Sequence, residues 1–166
     1  MAARGARTEW LLFTDADVAF AADYFDLLPG FLTTDALYWC KTIPRRIPDY
    51  YQWFLRGQTT FDRLGIPAAS GSNLLIRREV FHAIGGFDLS LTCNEDSEIA
   101  WRIRRNGYSI RFIPELIVYA HDHRRLEQGQ FRKTWHSLFR SALLFSGLLP
   151  ERWRHNDWGY WSSRVE

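Results

Sequence analysis

Cysteine is scarce in this chain: Cys40 and Cys93 are the only two in 166 residues. Two such thiols build no disulfide framework and no CxxC metal site; their plain reading is a pair of reduced, partly buried thiols in a cytoplasmic protein. Lysine is equally rare, with only Lys41 and Lys133. Long apolar runs are missing. No stretch approaches the ~20 residues of a spanning helix, and the apolar run in the opening MAARGARTEWLLF is too short for a signal peptide. Net charge is small, +2, so the whole-chain balance offers no argument for nucleic acid, which is not among the expected partners. The basic excess is local. From residue 124 to 166 eight Arg/Lys face four Asp/Glu, a net of +4 that leaves −2 for residues 1–123.

What is present is apolar and aromatic, at 46% and 16% of residues. That composition excludes a disordered chain, and the length suits one domain with a real core. The apolar pattern places a short buried strand at residues 10–14, a brief helix at 23–28 ending near Pro29-Gly30, an aromatic-rich strand at 36–42 and a helix at 49–63 weakened by Gly57. ASGSNLLIRREVFHAIGGFD follows: a turn at Ser70-Gly71, a strand at 73–77, a helix at 78–84 and a left-handed stop at Gly85-Gly86. Next come a helix at 95–106, with Asn94 as N-cap, Ile99 and Ile103 inward and Gly107 as its stop, and strands at 108–113 and 116–120. From Glu127 the period becomes helical. Phe131, Trp135, Leu138, Ala142, Phe145 and Leu149 form one apolar stripe, with Arg132, Lys133, His136 and Arg140 off it. This divides the chain into a domain over residues 1–126 and an amphipathic helix with a Trp/Arg-rich tail over 127–166.

Three constellations carry chemistry. In EWLLFTDADVAF an apolar strand runs into Asp15 and Asp17. Two carboxylates so close resist joint ionisation unless a cation sits between them. In open α/β sheets the C-terminal ends of strands are where ligands sit. Oxygen ligands with open positions suit Mg²⁺ or Mn²⁺ bridging a phosphate, and the bland alternative is a solvated turn with a helix cap at Asp17. Glu95 and Asp96 open a helix after a loop. A carboxylate there can be exposed and oriented, as a general base requires, or can be ordinary negative charge at a helix start. His121 and His123 flank Asp122 just past a strand, where imidazole can be a metal or diphosphate ligand or a surface group. Arg77, Arg78, Arg102, Arg104 and Arg105 offer forks to phosphate or form solvated helix faces.

The order of these pieces is more specific than any one of them. WLLFTDADV, then GSNLLIRREVFHAIGGFD, then NEDSEIAWRIRRNGYSIRFIPELIVYAHDH resembles the family 2 glycosyltransferases, from about residue 2 to 149. The resemblance implies the GT-A fold, an α/β architecture with a Rossmann-like mixed sheet, flanking helices and here a C-terminal amphipathic helix. It implies that Asp15 and Asp17 are the DxD pair holding a divalent metal and the donor diphosphate, that Asp96 is the general base with Glu95 beside it, and that His121, then His123, helps hold the metal or diphosphate. The implied reaction is inverting transfer of a sugar from a nucleotide-diphosphate sugar to the hydroxyl of a saccharide or lipid-linked acceptor.

Two departures from the family pattern stand out. The family begins with βαβ units that bind the nucleotide base, whereas this chain starts almost at the DxD strand. A partial GT-A domain is therefore expected: a fragment, a chain completed by another through its exposed sheet edge, or one that has lost catalysis. QGQFRKTW does not match the QxxRW of processive members, which implies single-sugar transfer. Two other classes compete. A haloacid dehalogenase-like phosphatase would use Asp15 as nucleophile and Asp17 as acid/base, but it also needs a positioned lysine, and neither Lys41 nor Lys133 stands in that setting. A non-catalytic binding module is the other. The expected location is cytoplasmic, with the aromatic and basic tail suited to peripheral contact at the inner face of the membrane.

Overall fold

A computed structural model describes residues 2–33, 35–44, 56, 59–60, 63, 66–67, 69, 71–120, 139–140 and 143–154. Its elements, in chain order, are α1 (Ala2–Gly5), β1 (Trp10–Phe13), β2 (Val18–Phe20), α2 (Tyr24–Phe31), β3 (Leu37–Pro44), β4 (Leu74–Arg77), α3 (Arg78–Ala83), α4 (Glu95–Arg105), β5 (Ile110–Ala120) and α5 (Glu151–Arg154). The strands form one mixed sheet in the order β1-β4-β3-β5-β2. β4 runs antiparallel to both β1 and β3, and β3 runs parallel to β5. The C-terminal ends of β1, β3 and β5 and the N-terminal end of β4 therefore share one edge of the sheet.

Alternation along the strands sorts the core into two layers. Leu74 and Ile76 of β4 point to one face, where Leu11 and Leu37 join Val80 and Phe81 of α3 and Ile99, Ala100 and Ile103 of α4. Leu75 points to the other, with Tyr38, Cys40, Ile113, Leu116, Val118 and Tyr24 of α2. Helices thus cover both faces, the mixed α/β architecture expected from the sequence. Within the described residues no helix is long and apolar enough to cross a membrane.

Several expectations need correction. β2 is an extra strand, only three residues long, paired with the end of β5. Residues 108–113 and 116–120 are not separate strands. β5 is continuous, and β3 skips from Cys40↔Ile113 to Lys41↔Ile117. The bulge leaves Pro114, which has no N–H to give, out of that ladder. The helix placed at 23–28 runs through Pro29 to Phe31. Its proline lies near the end of an eight-residue helix, where few turns remain for it to disrupt. Asn94 occupies the N-cap of α4, but with left-handed backbone (φ 63°) and no side-chain cap.

Gly85, Gly86 and Gly107 do take the left-handed conformation expected of helix stops (φ 84°, 75° and 84°). The 49–63 helix and the 131–149 stripe fall largely outside the described residues, as does the boundary at 126/127. Of these stretches, residues 56, 59–60, 63, 139–140 and 143–146 are helical. Arg140, read as lying off the stripe, is buried with 2% exposure.

Candidate active site

The first carboxylate is placed by strand register. β1 and β4 pair with Phe13 opposite Leu74, so two residues beyond β1 the chain comes opposite the residue two before β4. Those residues are Asp15 and Ser72. The Ser72 hydroxyl donates to Asp15 Oδ2 at 2.6 Å, and the Thr14 hydroxyl donates back to the Ser72 carbonyl at 3.1 Å. Ser72 is 5% exposed while Asp15 is solvent-facing. A buried hydroxyl thus fixes an exposed carboxylate.

The second carboxylate arrives from α4. Asp96 lies in the first turn of that helix, and Ile99 and Ile103 anchor the helix in the core. Asp96 Oδ2 accepts the Gly71 amide at 2.8 Å, and Oδ1 accepts the Ser97 amide at 2.6 Å. Gly71 and Ser72 are neighbours. One two-residue turn therefore addresses both groups, holding Asp15 by a hydroxyl and Asp96 by an amide. Of the pair Glu95-Asp96, it is Asp96 that enters this arrangement, while Glu95 is exposed.

Behind the turn, Asn73 is fully buried. Its Oδ1 accepts the Tyr24 hydroxyl at 2.6 Å, its Nδ2 donates to the Leu116 carbonyl at 3.1 Å, and its carbonyl accepts the Cys40 amide. This network ties the turn to α2, β3 and β5. Burial also pushes the Tyr24 phenol well above its ordinary range and the Cys40 thiol up to about 12.

Asp17 does not extend the strand: Ala16 and Asp17 form a turn before β2, and both are exposed. Val18, the residue after Asp17, pairs with Ala120, the residue before His121. His121 and His123 lie outside the described residues. Among the described residues no three His, Cys, Asp or Glu side chains cluster as a metal site. A cation here would rest on Asp15 and Asp17, hard and exposed oxygen donors of the kind that suits Mg²⁺ or Mn²⁺ retaining water or phosphate oxygens.

Of the five arginines considered as phosphate forks, Arg104 is exposed on α4 and the other four have other partners. Arg77 bonds Glu9 at 2.7 Å and lies over the Trp10 ring, Arg78 bonds the Thr8 carbonyl, and Arg105 bonds the Phe145 carbonyl. Arg102 holds Glu98 and the carbonyls of Ile84 and Gly86. The signal for Ser72 was the register of two strands far apart in sequence, which a local reading of SGSN does not reveal.

This arrangement has relatives. The model of the family described as glycosyl transferase family group 2 matches residues 10–146. The chain belongs to that family. Among curated proteins, it is 44% identical over 43 residues to "Succinoglycan biosynthesis protein ExoA" of Rhizobium meliloti (strain 1021), covering 26% of this chain and 13% of that protein. It is 32% identical over 72 residues to "Probable glycosyltransferase YdaM" of Bacillus subtilis (strain 168), covering 43% of this chain and 17% of that protein.

Among solved structures, the mannosyltransferase PcManGT of Pyrobaculum calidifontis, in complex with GDP-Man and Mn²⁺, matches with a TM-score of 0.59 at 21% identity. The match covers 93% of this chain and 49% of that one. This family 2 chain therefore has the GT-A type of fold and spans about half of that structural relative, and its matches cover less than a fifth of the two curated ones. Family membership leaves the phosphatase reading of Asp15 and Asp17 without support.

Proposed function

We propose that this chain carries the metal-binding and general-base half of an inverting, non-processive glycosyltransferase, acting on a nucleotide-diphosphate sugar and an acceptor hydroxyl. The observation that carries the reading is the Gly71-Ser72 turn, which brings the first DxD carboxylate and the base carboxylate to one place. Inverting transfer needs such proximity. The acceptor oxygen forms its bond to the anomeric carbon as the bond from that carbon to the diphosphate oxygen breaks, and the hydroxyl proton must leave in the same step.

Asp96 is suited to take that proton. Two backbone amides orient its carboxylate, as a general base requires. Asp15, held by Ser72, and Asp17 would bind the metal, with His121 as a further ligand on the strength of the family resemblance. When bound, Mg²⁺ or Mn²⁺ supplies electrostatic stabilisation of the departing diphosphate. The family and the GDP-Man bound by the structural relative support a nucleotide-sugar donor. The acceptor is a saccharide or a lipid-linked saccharide, and a cytoplasmic site at the inner membrane face would suit the latter.

Calorimetry of the full chain with Mn²⁺ and a panel of nucleoside diphosphates, GDP first, tests this reading. Metal-dependent binding that Asp15→Asn and Asp17→Ala abolish is the expected result. Binding that is indifferent to metal, or no binding to any member of the panel, favours the non-catalytic module.

A further inference from the structure

The loop between α3 and α4 delivers the chain to Asp96, and it is fastened along its whole length. At its start, Arg102 of α4 donates to the carbonyls of Ile84 and Gly86, both at 2.7 Å. In its middle, Arg154 Nη1 reaches Asp88 Oδ2 at 3.1 Å and Ser90 Oγ at 3.2 Å. Towards its end, the Thr92 amide and hydroxyl both donate to the Arg154 carbonyl at 3.2 Å. Two of the three fastenings come from α5, a segment beyond the part of the chain that the family match covers.

A four-residue helix does not hold itself in place. Arg140 supplies what it lacks: its guanidinium donates from Nη1 to the Trp153 carbonyl and from Nη2 to the Arg154 carbonyl at 3.1 Å. Burying a guanidinium is costly unless its hydrogens are used, and here those on Nη1 and Nη2 meet the electronegative end of α5. Leu149, also buried, anchors the approach to α5. The Ser90 hydroxyl, then the Ser90 amide and the Arg154 and Arg102 guanidinium groups, hold the Asp88 carboxyl below its ordinary range against the opposing pull of partial burial. Asp88 thus stays charged for Arg154. Leu89, between the two residues that Arg154 grips, is 94% exposed, whereas Phe87 packs on Phe13 and Phe81 and Leu91 is buried, so apolar packing holds the flanks of the loop and the polar fastenings hold its apex. At the end of the loop, Asn94 has left-handed backbone, a conformation that persists where the surroundings hold it.

We propose that Arg154, seated by the buried Arg140, is a positioning residue that clasps this loop and thereby holds Asp96 against the Gly71 amide. The proposal rests on the reading of Asp96 as the base, but its test separates the two. Amide exchange is followed by NMR on the full chain in wild type, Arg154→Gln, Arg154→Lys, Asp88→Asn and Asp96→Ala. Ser90 and Thr92 report on the loop, Gly71 on its contact with Asp96, and Leu75 in β4 on global opening.

Arg154→Gln is expected to speed Ser90 and Thr92 about tenfold and Gly71 several-fold while leaving Leu75 unchanged, with Arg154→Lys restoring part of the protection. Should Arg154→Gln raise all four rates together, Asp88→Asn decides, since it removes one partially exposed contact. Gly71 at its wild-type rate in both Arg154→Gln and Asp88→Asn overturns the clasp. Gly71 unaffected by Asp96→Ala overturns instead the contact between turn and base on which the proposed function stands.

Discussion

Replacing Ser72 by alanine removes one hydroxyl and little else. The turn keeps its backbone, because the Thr14 hydroxyl bonds the Ser72 carbonyl and the Gly71 amide bonds Asp96. What disappears is the 2.6 Å hydrogen bond to Asp15 Oδ2. Hydrogen bonds to charged groups contribute about 1.5–3 kcal/mol net. Asp15 is exposed, so water replaces much of the lost bond and the effect falls to about 1 kcal/mol. That corresponds to a roughly five-fold weakening of metal-dependent nucleotide binding. Calorimetry with Mn²⁺ and GDP measures it, and a thermal melt should move by no more than about 2–4 °C. Ser72→Thr, which keeps the hydroxyl, should bind within twofold of wild type. If Ser72→Ala binds as tightly as wild type, the hydroxyl does not orient the metal carboxylate. If it unfolds the domain, the turn is a structural element first and a site second.

Other perturbations probe the scaffold. Ile103→Ala empties a fully buried position between α4 and the sheet and should cost about 2–5 kcal/mol in denaturant unfolding. Gly86→Ala should destabilise more than Gly85→Ala. Both glycines have positive φ, worth about 1–2 kcal/mol each, but only at Gly86 would the new Cβ meet a neighbour, Phe81 Cζ at 3.2 Å. Cys40 should resist thiol reagents at pH 8 while Cys93 reacts, as mass spectrometry of the labelled chain would show. The sign for stability follows from the same thiol. Its pKa in the fold is about 12, so above about pH 8.5 the unfolded chain loses that proton while the folded one keeps it. Stability should then fall as pH rises from about 8.5 towards 12, and Cys40→Ala should flatten that limb of the profile.

Much of the fold was legible in the sequence because local chemistry and global packing agree there. Ile99 and Ile103 at helical spacing, acidic residues in the first turn of α4 and Gly107 beyond its end all point one way, and α4 forms as read. β4 is legible as the strand read at 73–77, and its apolar residues 74–76 are buried against both layers. Where local signals mislead, tertiary contacts decide. Pro29 reads as a stop, yet α2 continues to Phe31 because Tyr24, Leu28 and Phe31 pack on the second core layer. Pro114 reads as a break between strands, yet a bulge absorbs it. Val18–Phe20 is too short to carry a pattern and exists because the end of β5 pairs with it.

The site divides the same way. Asp15, Asp17 and Asp96 were visible as residue types in motif order. That Ser72 and Gly71 join them depends on the register of β1 with β4, a pairing between residues more than fifty positions apart in the chain. Arg140 at a polar position of a stripe gives no local sign of burial, because its partners are backbone carbonyls of α5.

The central claim, that Asp15 with Asp17 and Asp96 serve a single transfer site, is tested most directly by turnover. The full reading frame is assayed against a panel of nucleotide-diphosphate sugars with Mn²⁺, alongside Asp17→Ala and Asp96→Asn. The account predicts that Asp17→Ala loses both donor binding and transfer. Asp96→Asn should keep donor binding within about twofold and lose transfer by at least about a hundredfold. Transfer that persists in Asp96→Asn, or donor binding that is lost with it, would contradict the account.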